Sequence, residues 1–163
     1  MKSLIKAAMV IILCFIAVPA LAAPKQGTYE AGGQISAWFP DGDMESVFGA
    51  SGNFLAYYTD HIAFGGRLEA GFSGDSMFNV VGEARYVFSK MGDITPYVGA
   101  LVGPAFLSYN SKTYTALKAG GVAGVVTYTD KNWAIFGEVQ AGQMFGDETQ
   151  NFVGFGVGAL FSL

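Results

Sequence analysis

The feature that most constrains the fold is a two-residue alternation of large apolar side chains with small or polar ones. It is clearest in the last stretch, from Asn151 to Leu163, which reads NFVGFGVGALFSL. Successive side chains of a strand point to opposite faces. One face of this stretch then carries large apolar residues: Val153, Phe155, Val157, Ala159, Phe161 and Leu163. The other face carries mostly glycine: Gly154, Gly156 and Gly158, with Leu160 and Ser162.

The same alternation predicts eight strands separated by short segments rich in turn residues. Their expected bounds are 28–39, 47–58, 62–72, 78–88, 94–109, 114–128, 133–145 and 151–163. The faces of the fifth strand cannot be assigned from the pattern, because Pro96 and Pro104 both fall in it. A proline cannot donate to the hydrogen-bond ladder, so Pro104 is expected to mark a bulge or the end of the strand near a rim.

Charged residues decide which environment each face meets. Seven of them lie within the predicted strands, all on the glycine-and-polar face: Glu30, Arg67, Glu69, Glu83, Arg85, Lys118 and Glu138. A water-soluble barrel has the reverse polarity, with polar residues outside. Alternating segments of about ten residues are typical of a transmembrane β-barrel, in which closure satisfies every backbone group within lipid. The sequence therefore predicts an all-β fold, an eight-stranded antiparallel up-and-down transmembrane barrel.

The start of the chain has the pattern of a cleaved signal peptide. Lys2 and Lys6 precede an apolar core at residues 7–18, and the small-x-small sequence Ala20-Leu21-Ala22 follows. We therefore expect a signal peptide at 1–22 and a barrel domain at 23–163. Beyond this region there is no run of about 20 apolar residues, which excludes a bundle of membrane-spanning helices.

Composition excludes several classes of function. Of nine basic residues two belong to the signal peptide, which leaves seven against thirteen acidic ones and disfavours nucleic-acid binding. Cys14, the only cysteine, also lies in the signal peptide, and His61 is the only histidine. His61 falls in a predicted periplasmic turn, whereas an enzyme would need its nucleophile and base at the outer rim. We therefore expect no catalytic residues, no metal site, no cofactor and no enzymatic activity.

An even number of strands places both chain ends on one side of the membrane, expected to be the periplasm. The turns at Asp60, Gly92 and Asp130 would then be periplasmic. The remaining connections would be external and scarcely longer: those at Asp43, Asp75, Ser111 and Asp147. Acidic residues of these loops form an expected outer rim, either solvated or bridged by divalent ions to lipopolysaccharide: Asp41, Asp43, Glu45, Asp75, Asp147 and Glu148.

Aromatic residues at the strand ends fit the two girdles of a membrane barrel. The periplasmic girdle is predicted to contain Tyr29, Tyr58, Tyr86, Phe88, Tyr97 and Trp133. The outer girdle is predicted to contain Phe39, Phe48, Phe72, Phe78 and Phe145.

With these features the mature chain resembles the small outer-membrane β-barrel family that includes the OmpA transmembrane domain and the OmpX-like proteins. The resemblance rests on the strand alternation, on Thr95-Pro96-Tyr97-Val98-Gly99-Ala100, and on Phe161 near the end of the last strand. Members usually finish on Phe, whereas this chain finishes on Leu163. The resemblance implies a location in the cell outer membrane, contact with lipid and lipopolysaccharide, and recognition of the strand from Asn151 to Leu163 by the barrel-assembly machinery.

The seven strand charges are expected to point into the barrel. An eight-stranded barrel is just wide enough for side chains to fill, and unpaired buried charges are costly, so we expect an ion-pair network that plugs the lumen. The corresponding function is that of a monomeric, non-enzymatic membrane component with a structural or surface-interaction role. One alternative is a small gated porin-like channel for ions or small solutes, which would require a hydrated lumen. Gly154, Gly156 and Gly158 leave that alternative open, because they remove side-chain volume. Another is an adhesin-like binding protein, which the short external loops disfavour.

Overall fold

The computed structural model describes residues 25–41, 45–72, 75–109, 112–129, 132–146 and 149–163. Several sequence predictions lie outside these residues: the signal peptide, the loop acids Asp43, Asp147 and Glu148, and the turn positions Ser111 and Asp130. Among the described residues no helix has the length and apolarity needed to cross a membrane.

Eight strands form a single closed antiparallel barrel in sequence order, which confirms the predicted fold. The strands are β1 (Tyr29–Pro40), β2 (Val47–Tyr57), β3 (Ile62–Gly71), β4 (Ser76–Val87), β5 (Thr95–Tyr109), β6 (Lys112–Tyr128), β7 (Trp133–Phe145) and β8 (Gln150–Ser162). The predicted bounds agree with these within two residues, because the alternation and the turn residues together mark where each strand begins and ends.

The two ends of the barrel differ in what they carry. The terminal end holds the start of β1, the end of β8 and the turns after β2, β4 and β6. The opposite end, called the loop end below, holds the connections after β1, β3, β5 and β7. These connections are short as well, and the one between β5 and β6 consists of residues 110–111.

The strand register fixes the width of the barrel. Starting from Glu30 and following the paired residue on each successive strand leads around the wall to Pro40: Leu55, Gly65, Glu83, Leu101, Gly120, Gly142 and Phe152. The register therefore advances by ten residues in one circuit. With ordinary strand spacings this gives a tilt of about 40° and a radius of about 8 Å at the Cα atoms. Such a lumen is filled by side chains.

Pro104 produces neither a bulge nor a strand end, so that prediction was wrong. The β4–β5 pairs Asn79 with Ala105 and Gly82 with Val102 belong to one register, so no extra residue is inserted. The two residue pairs that this register would place between them are missing between β4 and β5. On its other side β5 stays paired with β6 through Pro104. The missing N–H of proline therefore interrupts one ladder without shifting it.

The outer surface carries the large apolar side chains. Leu68, near the middle of β3, is 54% exposed, and residues at the same parity on other strands form a continuous apolar belt with it. Aromatic rings lie exposed at both ends, among them Tyr86 at the terminal end and Phe72 at the loop end. Tyr97 is the exception and corrects the predicted girdle. It is buried in the lumen, because β5 places it on the same face as Leu101.

The assignment of the Leu68 face to the lipid side can be tested with Leu68→Arg. A charge at mid-strand on a lipid-facing position should lower the free energy of unfolding by roughly 2 to 4 kcal/mol. Phe72→Arg, at the loop end of the same face, is the matched control and should cost only about 0 to 1 kcal/mol. Urea titration of the barrel refolded into lipid vesicles measures both. Equal costs at the two positions would contradict the assigned face.

Candidate functional site

The interior of the barrel is layered along its axis. A terminal-end cluster of buried apolar residues fills one half: Leu55, Tyr57, Ala63, Val81, Val87, Tyr97, Leu101, Val122, Val126, Tyr128, Ala134, Phe136 and Leu160. A separate loop-end cluster fills the other: Trp38, Val47, Met77, Ala105, Leu107, Ala116, Met144 and Phe152, with Tyr114 packed against it. Charged and amide side chains lie among and between these clusters. The lumen is therefore the candidate site.

All seven predicted interior charges face the lumen, and none is more than 6% exposed. The alternation of the strands positions them, since Arg67 and Glu69 are two residues apart on β3 and point to the same side. Glu83 and Arg85 are related in the same way on β4. Lys118 enters from β6, Glu138 from β7 and Glu30 from β1. Five strands thus contribute to one buried group of charges.

Four of these residues form a central quartet: Arg67, Glu83, Arg85 and Glu138. The Arg67 guanidinium donates to Glu83 Oε2 from Nη2 at 2.9 Å and from Nε at 3.2 Å, and it also donates to Glu138. Arg85 Nη2 lies 2.6 Å from Glu83 Oε1 and 3.9 Å from Glu138 Oε2. Two cations face two anions, so the quartet has no net charge.

Neutral groups complete the quartet. The Tyr97 hydroxyl donates to Glu138 Oε2 at 2.7 Å, and the amides of Gln34 and Gln140 donate to Glu138 Oε1, each at 3.0 Å. The Arg85 guanidinium also stacks on the Tyr97 ring, 3.9 Å from its centroid. A buried carboxylate is stable only when its oxygens accept hydrogen bonds from cations or other donors, and Glu138 meets that condition.

A second pair lies nearer the loop end. Lys118 Nζ is 2.5 Å from Glu69 Oε2 and 3.2 Å from Gln140 Oε1. Asn79 Nδ2 donates to the same carboxylate oxygen at 2.7 Å. The ammonium also lies 4.6 Å from the centroid of the Phe152 ring. The loop-end cluster thus covers an ion pair that is neutral as a unit.

Glu30 is placed differently from the other six. Its carboxylate accepts hydrogen bonds from the Tyr57 hydroxyl at 2.9 Å and from the Tyr128 hydroxyl at 3.2 Å. Within the described ranges it forms no ion pair. Four acids and three bases face the lumen, and Glu30 is the acid without a base.

The space above the glycines of β8 is filled. A Cβ on Gly156 would lie 2.9 Å from Cδ of Gln34, and one on Gly154 would lie 2.8 Å from Cδ1 of Trp38. These β1 side chains lean over β8, so the glycines make room for protein atoms rather than for water. The side-chain volume that the glycines lack is thus taken up by the neighbouring strand, which the pattern of one strand does not show.

Three tyrosines are fully buried among the described residues, Tyr57, Tyr97 and Tyr128, and the sequence pattern did not single them out as site residues. Tyr128 has the same parity on β6 as Lys118, which is the signal that could have found it. Tyr97 lies on β5, whose faces were unassigned, and Tyr57 lies on β2 at the parity opposite to the exposed Phe54. Phenol hydroxyls at inward positions near charges are natural donors to carboxylates.

His61 and the acidic rim show no catalytic arrangement among the described residues. The His61 ring stacks on Tyr86, and Nδ1 lies 2.8 Å from the carbonyl oxygen of Val87 at the terminal end. Asp41 accepts a hydrogen bond from the backbone N–H of Asn151 at 2.6 Å at the loop end. In the part of the chain that the structure describes, no group of three or more His, Cys, Asp or Glu residues could hold a metal ion.

The Lys118–Glu69 pair can be tested with Lys118→Met, which leaves the Glu69 carboxylate buried and unpaired. We expect the free energy of unfolding to fall by about 3 to 5 kcal/mol in urea titration. Lys112→Met, at an exposed position of the same strand, is the control and should change it by under about 0.5 kcal/mol.

Adding Glu69→Gln to Lys118→Met should recover part of the loss, because the unpaired charge is removed. Equal effects of the two lysine substitutions would mean that Lys118 is hydrated, against the packing described above.

No protein-family model and no curated protein sequence matches the chain. Solved structures do match. Neisserial surface protein A is 14% identical, with a TM-score of 0.63 over 85% of this chain and 99% of that one. The N-terminal β-barrel domain of Pseudomonas aeruginosa OprF is 19% identical, with a TM-score of 0.65 over 86% of this chain and 100% of that one.

The outer membrane protein OprG of Pseudomonas aeruginosa is 13% identical, with a TM-score of 0.57 over 85% of this chain and 97% of that one. At identities this low, the structural similarity shows a common fold and nothing more. The described chain therefore has the closed barrel fold found in these small bacterial membrane proteins, in agreement with the resemblance noted in its sequence.

Proposed function

We propose that the protein is a non-enzymatic integral outer-membrane β-barrel with a structural or surface-interaction role, and that paired charges close its lumen. The observation that carries this proposal is the inverted polarity of the barrel. Large apolar side chains cover its outside, while the seven charges described above face inward. Only a lipid environment makes that arrangement favourable.

The outer surface supports the membrane location. In water the belt around Leu68 would be a large contiguous apolar patch, which monomeric soluble proteins rarely expose. Acyl chains remove it from water, and the exposed aromatic rings at both ends fit the two interfaces. OprG, one of the similar structures, is described as an outer membrane protein. The partners we propose are membrane lipid and lipopolysaccharide, with the protein as a monomer.

The proposed orientation places both chain ends in the periplasm. The first strand pairs with the last, so the two ends share one side of the membrane. We further propose that the barrel-assembly machinery recognises β8, whose alternating pattern ends on Phe161. Antiparallel pairing with β1 then closes the wall.

The packing of the lumen supports a barrel that does not pass ions. The side chains of Arg67, Glu83, Arg85 and Glu138 have no accessible surface, so no water-sized space touches the central quartet. An ion crossing at this level would have to separate buried pairs. Removing one partner of such a pair typically costs about 3 to 5 kcal/mol.

Two other functions fit less well. A gated channel of the porin type requires the quartet to rearrange, and an adhesin requires a substantial external surface. The longest connection at the loop end consists of residues 41–46, so the connections there offer little surface for a partner. A structural role, or a small surface contact, needs neither feature.

Conductance in a planar bilayer tests the closed lumen. We expect silence from the refolded protein, with a heat-modifiability gel showing that the barrel is folded. The charge-balanced double variant Arg67→Ala/Glu138→Ala should produce discrete current steps, because it removes the centre of the quartet. The double variant Lys112→Ala/Glu45→Ala removes two exposed residues of opposite charge and should remain silent. Reproducible steps from the unmodified barrel would favour the channel instead.

A further inference from the structure

One of the interior acids has no cation of its own. The central quartet contains two carboxylates and two guanidinium groups, and Lys118 balances Glu69. Glu30 belongs to neither group, and it is 0% exposed. A carboxyl group that is removed from water without a cationic partner normally keeps its proton, because desolvation of the charged form is very costly. The position of Glu30 therefore favours its neutral acid form.

The surroundings of Glu30 contain two phenols and one cation. Among the described residues, the groups that act on its carboxyl are Tyr57 of β2, Tyr128 of β6 and Arg85 of β4. The other described strands present no further charge at the terminal end, where their inward residues are Ala63 of β3, Thr95 and Tyr97 of β5, Ala134 and Phe136 of β7, and Leu160 and Ser162 of β8. The described Lys, Asp and His residues before β1 and in the terminal-end turns are exposed to solvent: Lys25, Asp60, His61, Lys90 and Asp93.

Arg85 is already matched by other groups. Its Nε and Nη2 atoms donate to Glu83 Oε1 at 2.9 and 2.6 Å, and its guanidinium stacks on the Tyr97 ring. The positive charge of Arg85 attracts Glu30 electrostatically, but it balances a carboxylate of the central quartet. An ionised Glu30 would therefore leave the four acids and three bases of the lumen with one unbalanced negative charge.

The hydrogen bonds around Glu30 call for a third proton. The Tyr57 hydroxyl lies 2.9 Å from Glu30 Oε2, and the Tyr128 hydroxyl lies 3.2 Å from Oε1. The two hydroxyls also interact with each other. Each phenol has a single O–H to donate, so two protons would have to serve three contacts if Glu30 were ionised. A proton on Oε1 completes a ring in which Glu30 donates to Tyr128, Tyr128 to Tyr57, and Tyr57 to Glu30.

We propose that Glu30, Tyr57 and Tyr128 form a proton-binding site at the terminal end of the barrel, in which Glu30 stays a neutral carboxylic acid at neutral pH. The ligand of the site is one proton. An exposed glutamate in the unfolded chain releases its proton at about pH 4, so folding above that pH takes up one proton. The site goes beyond the closed membrane barrel proposed above, because it makes the stability of the barrel depend on pH.

The sign of this dependence follows from proton uptake. Above about pH 4 the folded barrel binds one proton more at Glu30 than the unfolded chain does, and the free energy of unfolding then falls as the pH rises. The stabilisation from this site is thus largest in acid and is lost at alkaline pH.

Urea titration at a series of pH values tests the site, with the barrel refolded into lipid vesicles and Glu30→Gln as the variant. Glutamine keeps the size of the side chain, one acceptor and a donor, but it binds no proton. Relative to Glu30→Gln, the unfolding equilibrium constant of the unmodified barrel should rise about tenfold per pH unit between about pH 5 and pH 8.

Glu45→Gln, at an exposed position, is the matched control. Its unfolding equilibrium constant, relative to that of the unmodified barrel, should not change with pH, because Glu45 is exposed to solvent in both states. A ratio between the unmodified barrel and Glu30→Gln that is independent of pH, or that falls as the pH rises, would overturn the proposal.

Infrared spectroscopy at neutral pH gives a second measurement, made in a detergent without ester groups. A protonated carboxyl group has a carbonyl stretch separate from the carboxylate bands, and we expect it in the unmodified folded barrel and not in Glu30→Gln. Tyr57→Phe removes the donor to Oε2, so it should keep the band and shift it to higher frequency.

Absence of the band from the unmodified barrel would overturn the proposal. A band that persists in Glu30→Gln, or does not move in Tyr57→Phe, would place the proton on another acid and would overturn it as well. Neither measurement depends on conductance, so the closed lumen and the proton-binding site can fail separately.

Discussion

The pairing of β8 with β1 is the constraint on which the rest of the structure depends. A strand in lipid has no water to satisfy its backbone, so every strand needs two neighbours and the sheet must close. The tilt and the register at which eight strands close set a barrel radius of about 8 Å at the Cα atoms, and thereby the width of the lumen. The width of the lumen in turn decides that side chains fill it and that its charges lie within reach of one another. The ion pairs are thus a consequence of closure.

The charges of the interior are neutralised in separate small groups rather than as one network. The central quartet and the Lys118–Glu69 pair are each neutral, and Glu30 is held by two phenol hydroxyls near the terminal end. Charges matched locally cost less in a low-dielectric interior than charges matched at a distance. This local matching pairs the six interior charges of β3, β4, β6 and β7 with one another, and it leaves Glu30 of β1 as the one that hydroxyl groups hold.

Much of this architecture is predictable from the sequence, because the side chains of a strand alternate strictly. The alternation predicts the number of strands, the faces of every strand except β5, and the inward direction of Arg67 and Glu138. It does not predict contacts between strands, which depend on register. The filling of the β8 glycines by Gln34 and Trp38 and the uninterrupted register at Pro104 arise from a neighbouring strand. The contact of Tyr97 with the Glu138 carboxylate joins β5 to β7, which do not pair. No single strand encodes any of these features.

Pro104 also makes the wall of the barrel unequal around its circumference. Two successive pairs are missing between β4 and β5, so this junction is held by fewer backbone hydrogen bonds than its neighbours. Local opening of a protein begins where such bonds are fewest. The pair partner of Gly103 on the other side is Lys118. Local separation of the wall should therefore start beside the buried ammonium, and mid-strand amides of β4 should be less protected from exchange than amides at the same depth on strands whose pairing is complete.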